Sequence, residues 1–76
     1  MPQYFFHIHH DGPSRDDRGE HLRDNHAAWK EATVMAGKML EDMDGRLKPG
    51  HDWSLEVTDA GAKVIFRLII SAEYPQ

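Results

Sequence analysis

KVIFRLIIS, residues 63–71, is the stretch whose reading decides the fold. Val64, Phe66, Leu68 and Ile70 alternate onto one face of a strand, while Ile65 and Ile69 point the other way with Arg67 between them. A strand apolar on both faces reads as central and covered on both sides. The rest of the chain offers a single helix, enough for one face only. What covers the second face is the main functional question that the sequence poses.

Upstream, Asp59-Ala60-Gly61-Ala62 reads as a short hairpin loop, with Gly61 suited to a positive φ. Trp53 to Thr58 precedes it as a strand: Trp53, Leu55 and Val57 share one face, and Ser54, Glu56 and Thr58 the other. That clean alternation fits an edge strand with one wet face. The helix spans about Asn25 or His26 to Met43, with Asp24 and Asn25 as alternative N-caps. Ala28, Trp29, Ala32, Met35, Ala36, Met39, Leu40 and Met43 make its apolar stripe, and Gly37 falls on the outer side. Gly45 is a natural residue to end it.

At the start of the chain, Gln3 to His10 reads as a strand with Tyr4, Phe6 and Ile8 on one face and Phe5, His7 and His9 on the other. Asp11-Gly12-Pro13 ends it with turn chemistry. The polar run Ser14 to Arg23 holds a short edge strand near Glu20 to Leu22, with Gly19 marking a bulge or turn. The order is ββαββ in one domain, residues 1–76, of α+β class. Placing the two most apolar strands side by side gives a four-stranded sheet of spatial order 2-1-4-3, strands counted along the chain, with a parallel central pair. The helix packs on one face, against Tyr4, Phe6, Ile8, Trp53, Leu55, Val57, Val64, Phe66, Leu68 and Ile70.

A chain of 76 residues is small enough to lean on a metal, disulfides or a second subunit. It has no cysteine, which excludes disulfides, thiolate zinc sites and cysteine nucleophiles. A net charge of -4 weighs against a general nucleic-acid binder, which needs a basic face to displace counterions from phosphates. The opening MPQYFFHIHHDG lacks the basic and small-residue features of a secretory signal, and no apolar run approaches the ~20 residues of a membrane span. These features fit the cytoplasm.

Pro2-Gln3-Tyr4-Phe5-Phe6-His7-Ile8, Asp11-Gly12, Asp17 with Gly19-Glu20, Leu22-x-Asp24 and Ala27-Ala28 form a pattern with Leu55-Glu56-Val57-Thr58-Asp59, Gly61 and the closing apolar strand. It resembles a family of short bacterial proteins classified as a domain of unknown function. The resemblance spans nearly the whole chain and implies its architecture and a bacterial cytoplasmic setting. It offers no catalytic residue to carry over. The run His7-Ile8-His9-His10 departs from it in being rich in histidine.

His7 and His9 leave the same face of their strand, roughly 6.5–7 Å apart, a spacing at which imidazoles can chelate a divalent ion. Asp11 can add an oxygen, and Glu56 or a second subunit would have to complete the set. A polar, partly aromatic sheet face that joins a partner accounts for the same residues. Asp16 and Asp17 fail the spacing of a calcium loop and read as a solvated acidic loop. No nucleophile elbow or phosphate loop exists, so no catalytic residue and no cofactor is assigned. Arg15, Arg18, Arg23, Arg46 and Lys48 offer phosphate contacts, largely cancelled by Asp16, Asp17, Glu20 and Asp24.

The leading expectation is a non-enzymatic interaction or regulatory module that forms a homodimer. Its interface residues are Phe5, Ile65, Arg67 and Ile69, which otherwise leave an apolar patch on the second sheet face. The alternatives are a metal-binding protein using His7 and His9, or a nucleic-acid-associated regulator using the arginines.

Overall fold

The computed structural model describes residues 1–10 and 12–75. Its elements are β1 (Gln3–His9), β2 (Pro13–Ser14), β3 (Glu20–His21), α1 (Asn25–Met43), β4 (Trp53–Asp59) and β5 (Val64–Ile70). They form two layers, an antiparallel sheet and a helix across one of its faces, the α+β arrangement expected from the residues. The Asp11 turn position lies outside the described residues.

The sheet runs β2-β1-β4-β5, with β3 also paired to β1. The polar run is thus one interrupted strand: β2 bridges Ile8 and His9, and β3 bridges Gln3 and Tyr4, both on the outer edge of β1. A further bond from Leu22 N–H to the Pro2 carbonyl extends the second bridge. The spatial order 2-1-4-3 is corrected to 2-1-3-4 in the same counting. Trp53–Asp59 lies beside β1, KVIFRLIIS is the edge, and every pair is antiparallel. The reason is that only one sheet face is covered. On an open face even a central strand keeps polar residues, so the alternation of β4 reported a wet face and not an edge. Pairing β1 with β5 would also have required a parallel ladder, slightly the weaker kind.

The core puts bulk on the sheet and small residues on the helix. Tyr4, Phe6, Trp53, Leu55 and Val57 are buried against Ala28, Ala32 and Ala36, with Met43 closing the far end. Alanines four residues apart, on one face of the helix, let it approach the sheet closely enough for the large rings to fill the gap. Asp24 is the N-cap, its Oδ1 accepting from Ala27 N–H at 2.9 Å. Tyr4 Oη donates to Asn25 Oδ1 at 2.8 Å and pins β1 to the helix start. At the other end Asp44 turns left-handed, followed by Gly45 at φ 84°, and Arg46 Nε donates to the Met43 carbonyl. Trp29, at the margin of the stripe, tilts against Phe66 with ring centroids 5.3 Å apart.

Two local details depart from expectation. The left-handed residue of the β4–β5 hairpin is Ala62 (φ 65°), not Gly61. Ala62 N–H bonds the Asp59 carbonyl, and Asp59 Oδ1 accepts from Gly61 and Lys63 N–H. A loop of this build needs its positive φ at the third position after Asp59, whichever residue stands there. In β5, Val57 faces Phe66 while Thr58 faces Val64, so Ile65 is an extra residue in a β-bulge. The bulge reverses the alternation. Phe66, Leu68 and Ile70 stay with the helix-side core and Ile65 packs with them, whereas Val64 moves out of the expected core and onto the open face.

Candidate functional site

The open face is built from Phe5, His7 and His9 of β1, Ser54, Glu56 and Thr58 of β4, and Val64, Arg67 and Ile69 of β5. Register alone aligns His7, Glu56 and Arg67 in a row across three strands. Three of the four expected interface residues, Phe5, Arg67 and Ile69, lie here. Ile65 does not, because the bulge turns it toward the core. The patch is therefore more polar than expected, with Val64 and Ile69 exposed at its ends.

Asp16 clasps this face to the loop between β2 and β3. Phe6 N–H, left without a strand partner in the gap between the two bridges, donates to Asp16 Oδ2 at 3.1 Å. Arg18 and Gly19 N–H donate to Oδ1, and Asp16 N–H donates in return to His7 Nδ1 at 3.1 Å. Burial pushes the Asp16 carboxyl up. The N–H groups of Gly19, Phe6 and Arg18 outweigh it, with a smaller share from the charge interaction with His7, and hold the carboxyl below its ordinary value. Asp16 is thus a structural acceptor and not the solvated loop acid that its neighbours suggested.

The bond from Asp16 also decides the chemistry of His7. An N–H can only donate, so Nδ1 accepts and the ring proton lies on Nε2, which donates to Thr58 Oγ1 at 3.1 Å. A general base toward Thr58 would need a bare Nε2, so His7 and Thr58 as arranged are not a nucleophile–base pair. Both ring nitrogens of His7 are engaged, which leaves neither presented to a metal. Among the described residues no three His, Asp or Glu side chains gather to hold an ion. Asp11, the further oxygen considered for that set, lies outside the described residues. The phenyl ring of Phe5 stacks parallel to the imidazole, centroids 6.4 Å apart.

Glu56 is held by Arg67, whose Nη2 lies 2.9 Å and Nε 3.2 Å from Oε2. That hydrogen bond, against a smaller effect of burial, keeps the Glu56 carboxyl below its ordinary value. Between this row and the flanking loops lies a groove of about 880 Å³, edged by Arg15, Asp17, Ala60 and Ala62. That is more concavity than so short a chain promised. Yet among the described residues no buried side-chain nitrogen or oxygen lacks a partner, so no orphaned group points to a missing ligand. Arg46, grouped with Lys48 as a phosphate contact, spends its Nε and Nη2 on the helix-end carbonyls of Met43 and Asp42.

The second surface is the outer edge of β5. Phe6 N–H points away from β4, toward Asp16. In an antiparallel ladder its partner Val57 then turns its own N–H and C=O toward β5, bonding Phe66. Alternation leaves the N–H and C=O of Arg67 and Ile69 facing outward. Among the described residues the opposite edge of the sheet has no comparable run, because β2, β3 and the Asp16 clasp occupy it.

Asp16, Thr58 and Val64 were missed in the sequence. Asp16 had a usable signal, an Asp three residues before a glycine, which is turn-capping chemistry. Thr58 and Val64 had none, since their roles depend on strand register and on the bulge. No helix among the described residues is long and apolar enough to cross a membrane. No curated protein and no solved structure matches the chain. A family match, however, runs from β1 through β5 over residues 3–71, and by it the chain belongs to the family described as a domain of unknown function, DUF6894.

Proposed function

We propose that the chain is a small non-enzymatic interaction module that works as a homodimer, joined through the β5 edge. The observation that carries this reading is the position of KVIFRLIIS. Its composition is that of an inner strand, apolar on both sides, yet in the single chain it lies at the edge with Phe66, Leu68 and Ile70 only half-buried and Ile69 59% exposed. An unpaired apolar edge is a template for another strand, and a second β5 would make it an inner one. A bacterial cytoplasmic setting belongs to the same proposal, supported by the cysteine-free sequence and the resemblance to short bacterial proteins.

The test is mass. Light scattering at micromolar concentration should give twice the 8.7 kDa of one chain. Ile69→Pro should give a folded monomer, because it removes an outward N–H and leaves the β4 ladder intact. Ile69→Lys, which keeps the backbone donor, serves as a check on folding. A wild-type chain that scatters as a monomer overturns the reading.

A further inference from the structure

We propose that the two copies pair antiparallel along β5 with Leu68 on the two-fold axis, so that each Arg67 stands opposite the partner's Ile69. This rests on the reading of β5 as the self-association edge. The outward groups of Arg67 and Ile69 fix the parity: these residues must meet each other or themselves in the hydrogen-bonded pairs of the new ladder. Three registers satisfy this, centred on Arg67, Leu68 or Ile69.

The Arg67 centre sets two guanidinium groups directly opposite each other on the open face, a destabilising like-charge pair. It also brings Ile69 of each strand against the partner's Ile65, where the bulge breaks the regular edge. The Ile69 centre pairs Arg67 with the partner's Ser71, which lies beyond the end of β5, and leaves Phe66 unmatched. The Leu68 centre alone uses the whole regular run from Phe66 to Ile70. It places Phe66 opposite the partner's Ile70 and Leu68 opposite its own copy on the helix side. On the open side each Arg67 stays with its own Glu56, 2.9 Å away, and its aliphatic stem lies along the partner's exposed Ile69. Four backbone hydrogen bonds, two for each Arg67–Ile69 pair, close the ladder.

The sequence contains no cysteine, so single cysteines report the register without background. Leu68→Cys stands opposite itself in a non-hydrogen-bonded pair, where Cβ atoms approach within disulfide reach. Under mild oxidation it should give a covalent band at twice the chain mass, faster than Arg67→Cys or Ile69→Cys. Should Leu68→Cys fail to fold by circular dichroism, an equimolar mixture of Arg67→Cys and Ile69→Cys replaces it and should yield mainly the mixed disulfide. Fastest self-linking at Arg67→Cys or Ile69→Cys overturns the register while leaving the dimer. A dimer by light scattering with no linkage at any of these positions overturns edge pairing. A monomer by light scattering removes the dimer itself.

Discussion

Gly19 carries two constraints at once. Its φ of 73° lies in the left-handed region, and a Cβ there would sit 2.9 Å from the Tyr4 carbonyl oxygen and 2.9 Å from Phe5 Cε2. A ring can swing aside, but a backbone oxygen in the sheet cannot. Gly19→Ala should therefore cost about 2–4 kcal/mol, from left-handed strain together with overpacking, read as a lower urea midpoint with an unchanged slope. Ala62, left-handed without being glycine, argues the opposite way: Ala62→Gly should raise stability by about 1 kcal/mol. Asp16→Asn keeps an acceptor for Arg18 and Gly19 but turns an amide N–H toward Phe6 N–H, and should cost about 1–3 kcal/mol at neutral pH. The sign of its pH dependence follows from a folded carboxyl held below its ordinary 3.8. The stabilisation is complete above about pH 5 and is lost as pH falls through the folded value. Wild type and Asp16→Asn should thus converge in acid-unfolding curves, while a constant gap down to low pH would mean that the clasp does not involve the charge. At this scale the sequence spoke most clearly at Gly45, which follows the helix end as expected, while for the N-cap it left Asp24 and Asn25 as alternatives, and the structure uses Asp24. It misled where geometry overrides type: the hairpin needed its left-handed residue at position 62, and the glycine stood at 61.

The helix was legible almost residue by residue, because a 3.6-residue stripe has one physical reading. Only its margins differ, with Trp29 and Leu40 partly exposed. Gly37 lies outward, and a Cβ there would meet nothing within 4 Å. Gly37→Ala should raise the unfolding free energy by about 1 kcal/mol through backbone entropy alone, and a null result in thermal melting would point to a role for the outer helix face. The strands were legible as strands but not as neighbours. Alternation tells how many faces of a strand are wet, and in a two-layer fold that number is the same for inner and edge strands. The bulge at Ile65 was equally hidden, since nothing in KVIFRLIIS marks where the alternation slips. It matters for the candidate interface, because it exchanges Ile65 for Val64 on the open face. An aspartate at Ile65 should accordingly destabilise the core, whereas one at Val64 should leave the unfolding midpoint nearly unchanged.

For the whole molecule, the two edges of the sheet are unlike. One is filled by β2, β3 and a carboxylate that takes up the stray Phe6 N–H. Among the described residues the other is an apolar strand, β5, with no further strand beside it. In the language of polymer chemistry the proposed dimer makes the chain a monofunctional monomer, with one reactive end and the other capped. On the proposed dimer, strand addition at β5 would stop after a single step, however high the concentration, since the product would expose only capped ends. The cap is β2 and β3 together, with Asp16 closing the gap between them. Without Asp16 only the Phe6 N–H of β1 would be freed, since β2 and β3 still pair with both ends of that strand, and the unit would stay monofunctional.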